Sequence, residues 1–171
     1  LRAVLDSFQG IIKQTPPMYS ALKHHGKPLY ELARSGVTLT RKERQAEILR
    51  LELLGYQPPL LTIEVACGKG TYIRSLAHDI GEKLGCGAHM KNLTRLRCGP
   101  FDIKEAISLS ELEEACRRGY WEQFIYPLDF VLLQTQAAIV SDKAEEDIRN
   151  GRPLTIKGSA LPFHENCCRA Y

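Results

Sequence analysis

Between Leu60 and Cys67 the chain alternates, with Leu61, Ile63, Val65 and Cys67 on one side and Thr62, Glu64 and Ala66 on the other. A period of two is that of a half-buried strand. Ile73, Leu76, Ala77, Ile80 and Leu84 then recur at spacings of three and four, which predicts an amphipathic helix stopped by Gly85 and Gly87. Upstream, Leu49, Leu51 and Leu53 fall on one face of a strand over 46–54, and Gly55-Tyr56-Gln57-Pro58-Pro59 turns it into the strand 60–67 as a hairpin. Leu1, Val4, Leu5 and Phe8 make a short helical stripe, and 10–14 reads as a strand. Ala88 to Arg97 reads as a further strand beside the helix, ending at Cys98-Gly99-Pro100.

The segment 15–44 has little apolar pattern of its own. Pro16 and Pro17 force an extended path. Pro28 opens a two-turn helix through Leu29, Leu32 and Ala33, with Gly36 beyond its end. From residue 105 the character changes again. Ser110-Glu111-Leu112-Glu113 fits a capping box for a helix ending at Gly119, and Trp121, Phe124, Ile125 and Tyr126 form an apolar patch expected to pack on the main core. Pro127 to 136 reads as a linker. A strand over 137–140, a helix over 142–149 capped by Ser141 and closed by Asn150-Gly151, and a strand over 153–156 suggest the beginning of a second small domain. The expected class is α+β, a mixed or antiparallel sheet with flanking helices.

At 171 residues and 44% apolar content the chain can bury one good core. No apolar run reaches the roughly 20 residues of a membrane span. The cysteines at 67, 86, 98, 116, 167 and 168 form no Cys-x-x-Cys pair, so reduced cytosolic thiols are expected rather than a zinc site. Charge is uneven. Residues 1–104 hold 16 Lys/Arg against 9 Asp/Glu, and 105–171 hold 7 against 11, which directs a polyanion to the first part.

The chemistry gathers between the strand at 60–67 and the helix that follows. Gly68-Lys69-Gly70 with Thr71 as N-cap would present free backbone N–H groups to a phosphate or carboxylate. Arg74 stands near the positive end of the helix dipole, where a cation is disfavoured, and so calls for an anionic partner. Tyr72 is placed to stack or donate a hydrogen bond. Tyr19, Lys23, Lys27, Arg34 and Arg41, with Tyr30, Lys42 and Arg44, interleave rings and cations along the excursion in a pattern suited to RNA. Adjacent His24 and His25 are read as surface residues rather than metal ligands. The Gly-Lys-Gly spacing fails the nucleotide-loop pattern, which disfavours a phosphate-dependent enzyme. An RNA-binding module without enzymatic lineage is the main alternative.

Four stretches taken in order carry a resemblance: Phe8 to Lys23, Gly26 to Gly36, Gly68 to Arg74 with Asp79-Ile80-Gly81, and Leu84 to His89 with Leu93 to Arg95. Together they resemble the bacterial tRNA pseudouridine synthase B (TruB) family, akin to the dyskerin-type enzymes, strongly over 1–130 and weakly beyond. The resemblance implies isomerisation of the T-loop uridine of tRNA after base flipping, with no metal or organic cofactor. It implies that Arg74 pairs with the catalytic aspartate, that Tyr72, Leu93 and Lys69 bind the substrate, and that 15–44 is the RNA-gripping thumb. Residues 131–171 would be the start of a PUA domain. The tRNA T-arm is the expected partner, with no membrane, a cytoplasmic location and a monomeric full-length form. The family's Gly-x-Leu-Asp-Pro motif occurs nowhere in 1–171, and Asp6, Asp79, Asp102 and Asp129 lack its context. The upstream active-site tyrosine is also missing, so these residues are expected to be a fragment that does not isomerise uridine alone.

Overall fold

The computed structural model describes residues 1–135 and 137–153, and the backbone of 169–170. The chain divides into two compact units, Leu1–Leu93 and Thr94–Tyr171.

In the first unit, α1 (Arg2–Asp6) leads into β1 (Gly10–Gln14), which pairs antiparallel with β4 (Arg44–Gln57), and β4 pairs antiparallel with β5 (Leu60–Cys67). The helix α3 (Ile73–Leu84) and α1 cover one face of this three-stranded sheet. Leu5, Ile48, Leu51, Leu76 and Ile80 form the core, with Ile12, Leu53, Leu61, Ile63, Val65 and Ile73 packed against it. These are the positions with apolar periods of two on the strands and of three to four on α3, so the core follows directly from the pattern.

β4 departs from simple alternation. Its inward residues are Ala46, Ile48 and Leu51, with Leu53 half-buried, and the register breaks between Ile48 and Arg50. The extra residue reverses the phase of the strand, as a β-bulge must. Leu49, expected beside Leu51 and Leu53, is therefore 63% exposed. On the outer face Arg50 reaches Glu64 at 2.7 Å and Glu52 at 3.4 Å. All three are solvated, so each ion pair contributes at most about 1 kcal/mol.

α3 ends where Gly85 adopts φ 77°, a left-handed cap that only glycine takes without strain. The N–H groups of Cys86 and Gly87 return to the carbonyl of Gly81 at 3.2 and 3.0 Å. The chain then crosses α3 so closely that a Cβ on Gly81 would lie 2.1 Å from the Ala88 nitrogen. Residues 88–96 are irregular rather than a strand, with no strand pairing to them among the described residues; of the expected span Arg97–Cys98 (β6) pairs, with Phe101–Asp102 (β7).

Between β1 and β4 the excursion carries a two-rung hairpin, β2 (Lys23–His24) with β3 (Lys27–Pro28), then α2 (Leu29–Arg34). It has more anchorage than its sequence pattern suggests: Pro16 is fully buried and Leu29 is 5% exposed. The N–H groups of Leu29 and Tyr30 bond the carbonyls of Leu22 and Ser20, and Arg41 donates to the Pro16 carbonyl at 3.0 Å.

In the second unit, α4 (Leu109–Arg118) is capped by Ser108 with Glu111, two residues earlier than the Ser110–Glu113 pair expected, and ends at Gly119. Both halves of the box are made: Glu111 N–H to Ser108 Oγ at 3.2 Å, and Ser108 N–H to Glu111 Oε2 at 2.7 Å. Tyr126 stacks on Phe130 at 4.2 Å, with Phe101 edge-on to Tyr126 at 5.6 Å. Trp121, Phe124 and Ile125 are each more than a third exposed. The described part of the expected linker, 127–135, holds a helical turn at Phe130–Leu132. β8 (Ala137–Ala138) pairs in parallel with β9 (Arg169–Ala170), and α5 (Asp142–Arg149) lies where its pattern put it. Ser141 occupies the N-cap of α5 without a side-chain bond. Most of the strand expected at 153–156 lies outside the described residues. The α+β class stands.

Candidate RNA-modification site

The start of α3 is held by the segment that leaves β1. Gln14, at the last rung of β1 opposite Arg44, is 2% exposed. Its Oε1 accepts from the Tyr72 N–H at 3.1 Å, and its Nε2 donates to the Tyr72 carbonyl at 3.3 Å. One turn on, Ser75 Oγ donates to the Thr15 carbonyl at 2.8 Å. Arg74 Nη2 donates to the Tyr19 carbonyl at 2.5 Å. Three residues of 14–19 thus fasten three residues of 72–75.

Tyr72 is the N-cap itself, with extended φ −101° and ψ 104° and no side-chain cap bond of its own. Thr71, expected as the cap, instead turns its hydroxyl back to the Gly68 carbonyl at 2.9 Å. The turn is pinned at its other end by Gly68 N–H to the Glu47 carbonyl at 2.9 Å, and Gly70 takes φ 83°. Lys69 projects from this turn into solvent.

The first turn of α3 holds no acidic residue. Arg74 therefore stands at the positive end of the helix without compensation. Among the described residues no carboxylate forms an ion pair with it. Its partner is a backbone carbonyl, which satisfies one donor and leaves the guanidinium charge unbalanced. Asp79, on the same helix, meets His78 Nδ1 at 3.4 Å.

The structure brings Tyr72, Arg74 and Tyr19 together. It does not join Leu93 to them: that side chain is 60% exposed in the irregular stretch after α3 and lies outside the core. Of the cations expected to meet RNA, Lys23 and Lys27 flank the exposed His25-Gly26 turn of the β2–β3 hairpin. Arg34 lies over the Tyr30 ring at 5.5 Å, and the Tyr19 ring is 56% exposed. Arg41 differs from the rest. It is half-buried against Pro16, and its Nε is buried with no partner. His24 and His25 meet edge to face at 4.3 Å on the same turn.

The pinning residues Gln14, Thr15 and Ser75 were not among the expected site residues. One signal for Gln14 was available: it shares the inward phase of β1 with Ile12, and a polar residue at an inward position needs a buried partner.

Residues 1–73 match the N-terminal domain of the TruB family of pseudouridylate synthases, and residues 74–138 match the tRNA pseudouridylate synthase B C-terminal domain. The chain belongs to the TruB family. The junction between the two matches falls at Ile73–Arg74, inside the site just described. The tRNA pseudouridine synthase B of Pelotomaculum thermopropionicum is 42% identical over 170 residues, which is 96% of this chain and 54% of that one. The chain spans about half the length of the curated relatives it matches. Among solved structures, a chain of a Cbf5–Nop10–Gar1 complex superposes with a TM-score of 0.69 at 30% identity, covering 88% of this chain and 43% of that one. A chain of an H/ACA ribonucleoprotein bound to a substrate RNA containing 2′-deoxyuridine gives 0.66 at 26% identity, covering 90% and 42%. Among the described residues no helix is long and apolar enough to cross a membrane.

Proposed function

We propose that these residues form the Arg74-bearing part of a tRNA pseudouridine synthase acting on the T-loop uridine. The observation that carries this reading is Arg74: a guanidinium at the positive end of α3, beside Tyr72, with no carboxylate partner among the described residues. In the reaction the N1–C1′ bond of the uridine breaks, a C5–C1′ bond forms, the C5 proton leaves to solvent and N1 gains a proton. A carboxylate from outside the described acids meets Arg74 across the flipped base. Tyr72 lines the uracil pocket, Leu93 is an apolar residue of that pocket, and Lys69 meets a neighbouring phosphate. Tyr19, Lys23, Lys27, Arg34 and Arg41 belong to the thumb at 15–44, which grips the T-arm. Arg41 acts there chiefly from the base of the thumb, where it binds the Pro16 carbonyl. Residues 1–130 are then the C-terminal part of the catalytic domain and 131–171 the start of a PUA domain. The full-length protein is a cytoplasmic monomer that needs no cofactor.

The test is tritium release from T-arm RNA labelled at uridine C5. The full-length protein should release the label stoichiometrically, and the 171 residues alone should release none. RNA binding by the full-length protein without any release would leave the reading as a binding module only.

A further inference from the structure

We infer that Gln14 is a positioning residue of the site, tying the RNA-gripping excursion to the helix that carries Tyr72 and Arg74; this rests on the reading just given. Gln14 stands where the chain leaves the sheet, paired with Arg44, where it returns. The two ends of the excursion therefore lie side by side, and Arg41 to Pro16 draws them together one step further out. At this base Gln14 places both atoms of its amide on one residue of the opposite segment, accepting from the Tyr72 N–H and donating to its carbonyl.

That residue is the N-cap of α3, and it lacks a cap from its own sequence. In a capping box the third helical residue reaches back to the N-cap N–H. Here the third residue is Ser75, whose hydroxyl is committed to Thr15, and Gln14 supplies the missing acceptor from another strand. The Tyr72 carbonyl receives Gln14 as well as the first helical N–H, that of Leu76 at 3.0 Å. The direction in which α3 starts, and with it where the Tyr72 ring and Arg74 stand, is thus set by a side chain 58 positions away. A core site beside Ile12 has no need of an amide, since Leu or Met would fill it. The two bonds account for its presence. The same base holds Arg74 through the Tyr19 carbonyl, so RNA bound along the excursion is registered against the site.

The test is Gln14→Met in the full-length protein, with Ile48→Val as a core truncation that removes none of the clamp's hydrogen bonds. Two readouts are taken below both melting temperatures. Amide exchange at Tyr72 should accelerate by about tenfold or more in Gln14→Met and stay unchanged in Ile48→Val. Turnover on T-arm RNA should fall by about 10²-fold with KM within about threefold, as expected for misplaced groups rather than lost binding. Unchanged protection at Tyr72, or a kcat loss no greater than that of Ile48→Val, overturns the inference. If the unsubstituted protein does not isomerise the RNA, the functional reading falls and the exchange readout alone decides for or against Gln14. Should Gln14→Met not fold, Gln14→Asn, whose amide is one methylene short of Tyr72, is judged by the same two readouts.

Discussion

The guanidinium of Arg74 and the backbone carbonyl of Tyr19 meet at 2.5 Å across 55 positions of sequence. Because the acceptor is main chain, the bond is indifferent to the side chain at position 19. Tyr19→Ala should leave Arg74 where it is and keep kcat, while the lost ring lowers T-arm affinity. Stacking on such a ring is worth about 1–3 kcal/mol per base. Fluorescence anisotropy beside turnover checks both halves; a fall in kcat with unchanged affinity would contradict them.

Lys23 and Lys27 flank an exposed turn and make no ion pair among the described residues. Each replaced by Ala should weaken RNA binding across sequences alike and reduce the slope of log K against log salt by about one. Binding isotherms at four or five salt concentrations measure it.

Gly81 sits beneath the chain where it crosses α3, and the atoms a Cβ would meet there are backbone, Ala88 N at 2.1 Å and Gly87 C at 2.3 Å. Backbone cannot rotate aside as a side chain can. Gly81→Ala should therefore cost about 1–3 kcal/mol by overpacking. Leu76→Ala, at 0% exposure in the core, should cost about 2–5 kcal/mol by leaving a cavity. Denaturant unfolding of the first unit reports both. A Gly81→Ala chain as stable as its parent would contradict the crossing.

In α4 the Ser108 backbone N–H, and then its hydroxyl, hold the Glu111 carboxyl below its ordinary range. A carboxyl lowered on folding contributes stability above its unfolded pKa and loses it as pH falls through the folded one. The helical chemical shifts of 109–112 should thus weaken on acidification, and in Glu111→Gln they should be flat over the same range. The carboxyl is solvated, so a local effect on the first turn is expected rather than unfolding of the unit.

Much of this was legible in the sequence, and the exceptions have identifiable causes. β1, β5, α2 and α3 lay where their periods put them, because each packs one regular stripe, and α5 lay where Ser141 and Asn150-Gly151 bounded it. Leu49 was placed on the wrong face because a bulge adds a residue without any local signal. Residues 88–96 had strand-like composition, but among the described residues no strand pairs with them. Ser110 was misjudged as a cap because Ser108–Glu111 and Ser110–Glu113 offered two registers, and Thr71 because its hydroxyl turns back to the Gly68 carbonyl and leaves the N-cap to Tyr72. At the site, Tyr72 and Arg74 could be found from their place after a strand and a glycine turn. The clamp from Gln14 could not, since it joins residues 58 apart through a side chain and a backbone.

The most direct measurement on the central claim is the paired turnover and affinity of Arg74→Ala in the full-length protein on T-arm RNA. The account predicts that tritium release falls by about 10²-fold or more while Kd changes by less than about tenfold. Turnover close to that of the parent, or a loss confined to RNA affinity with a shallower salt dependence, would contradict it.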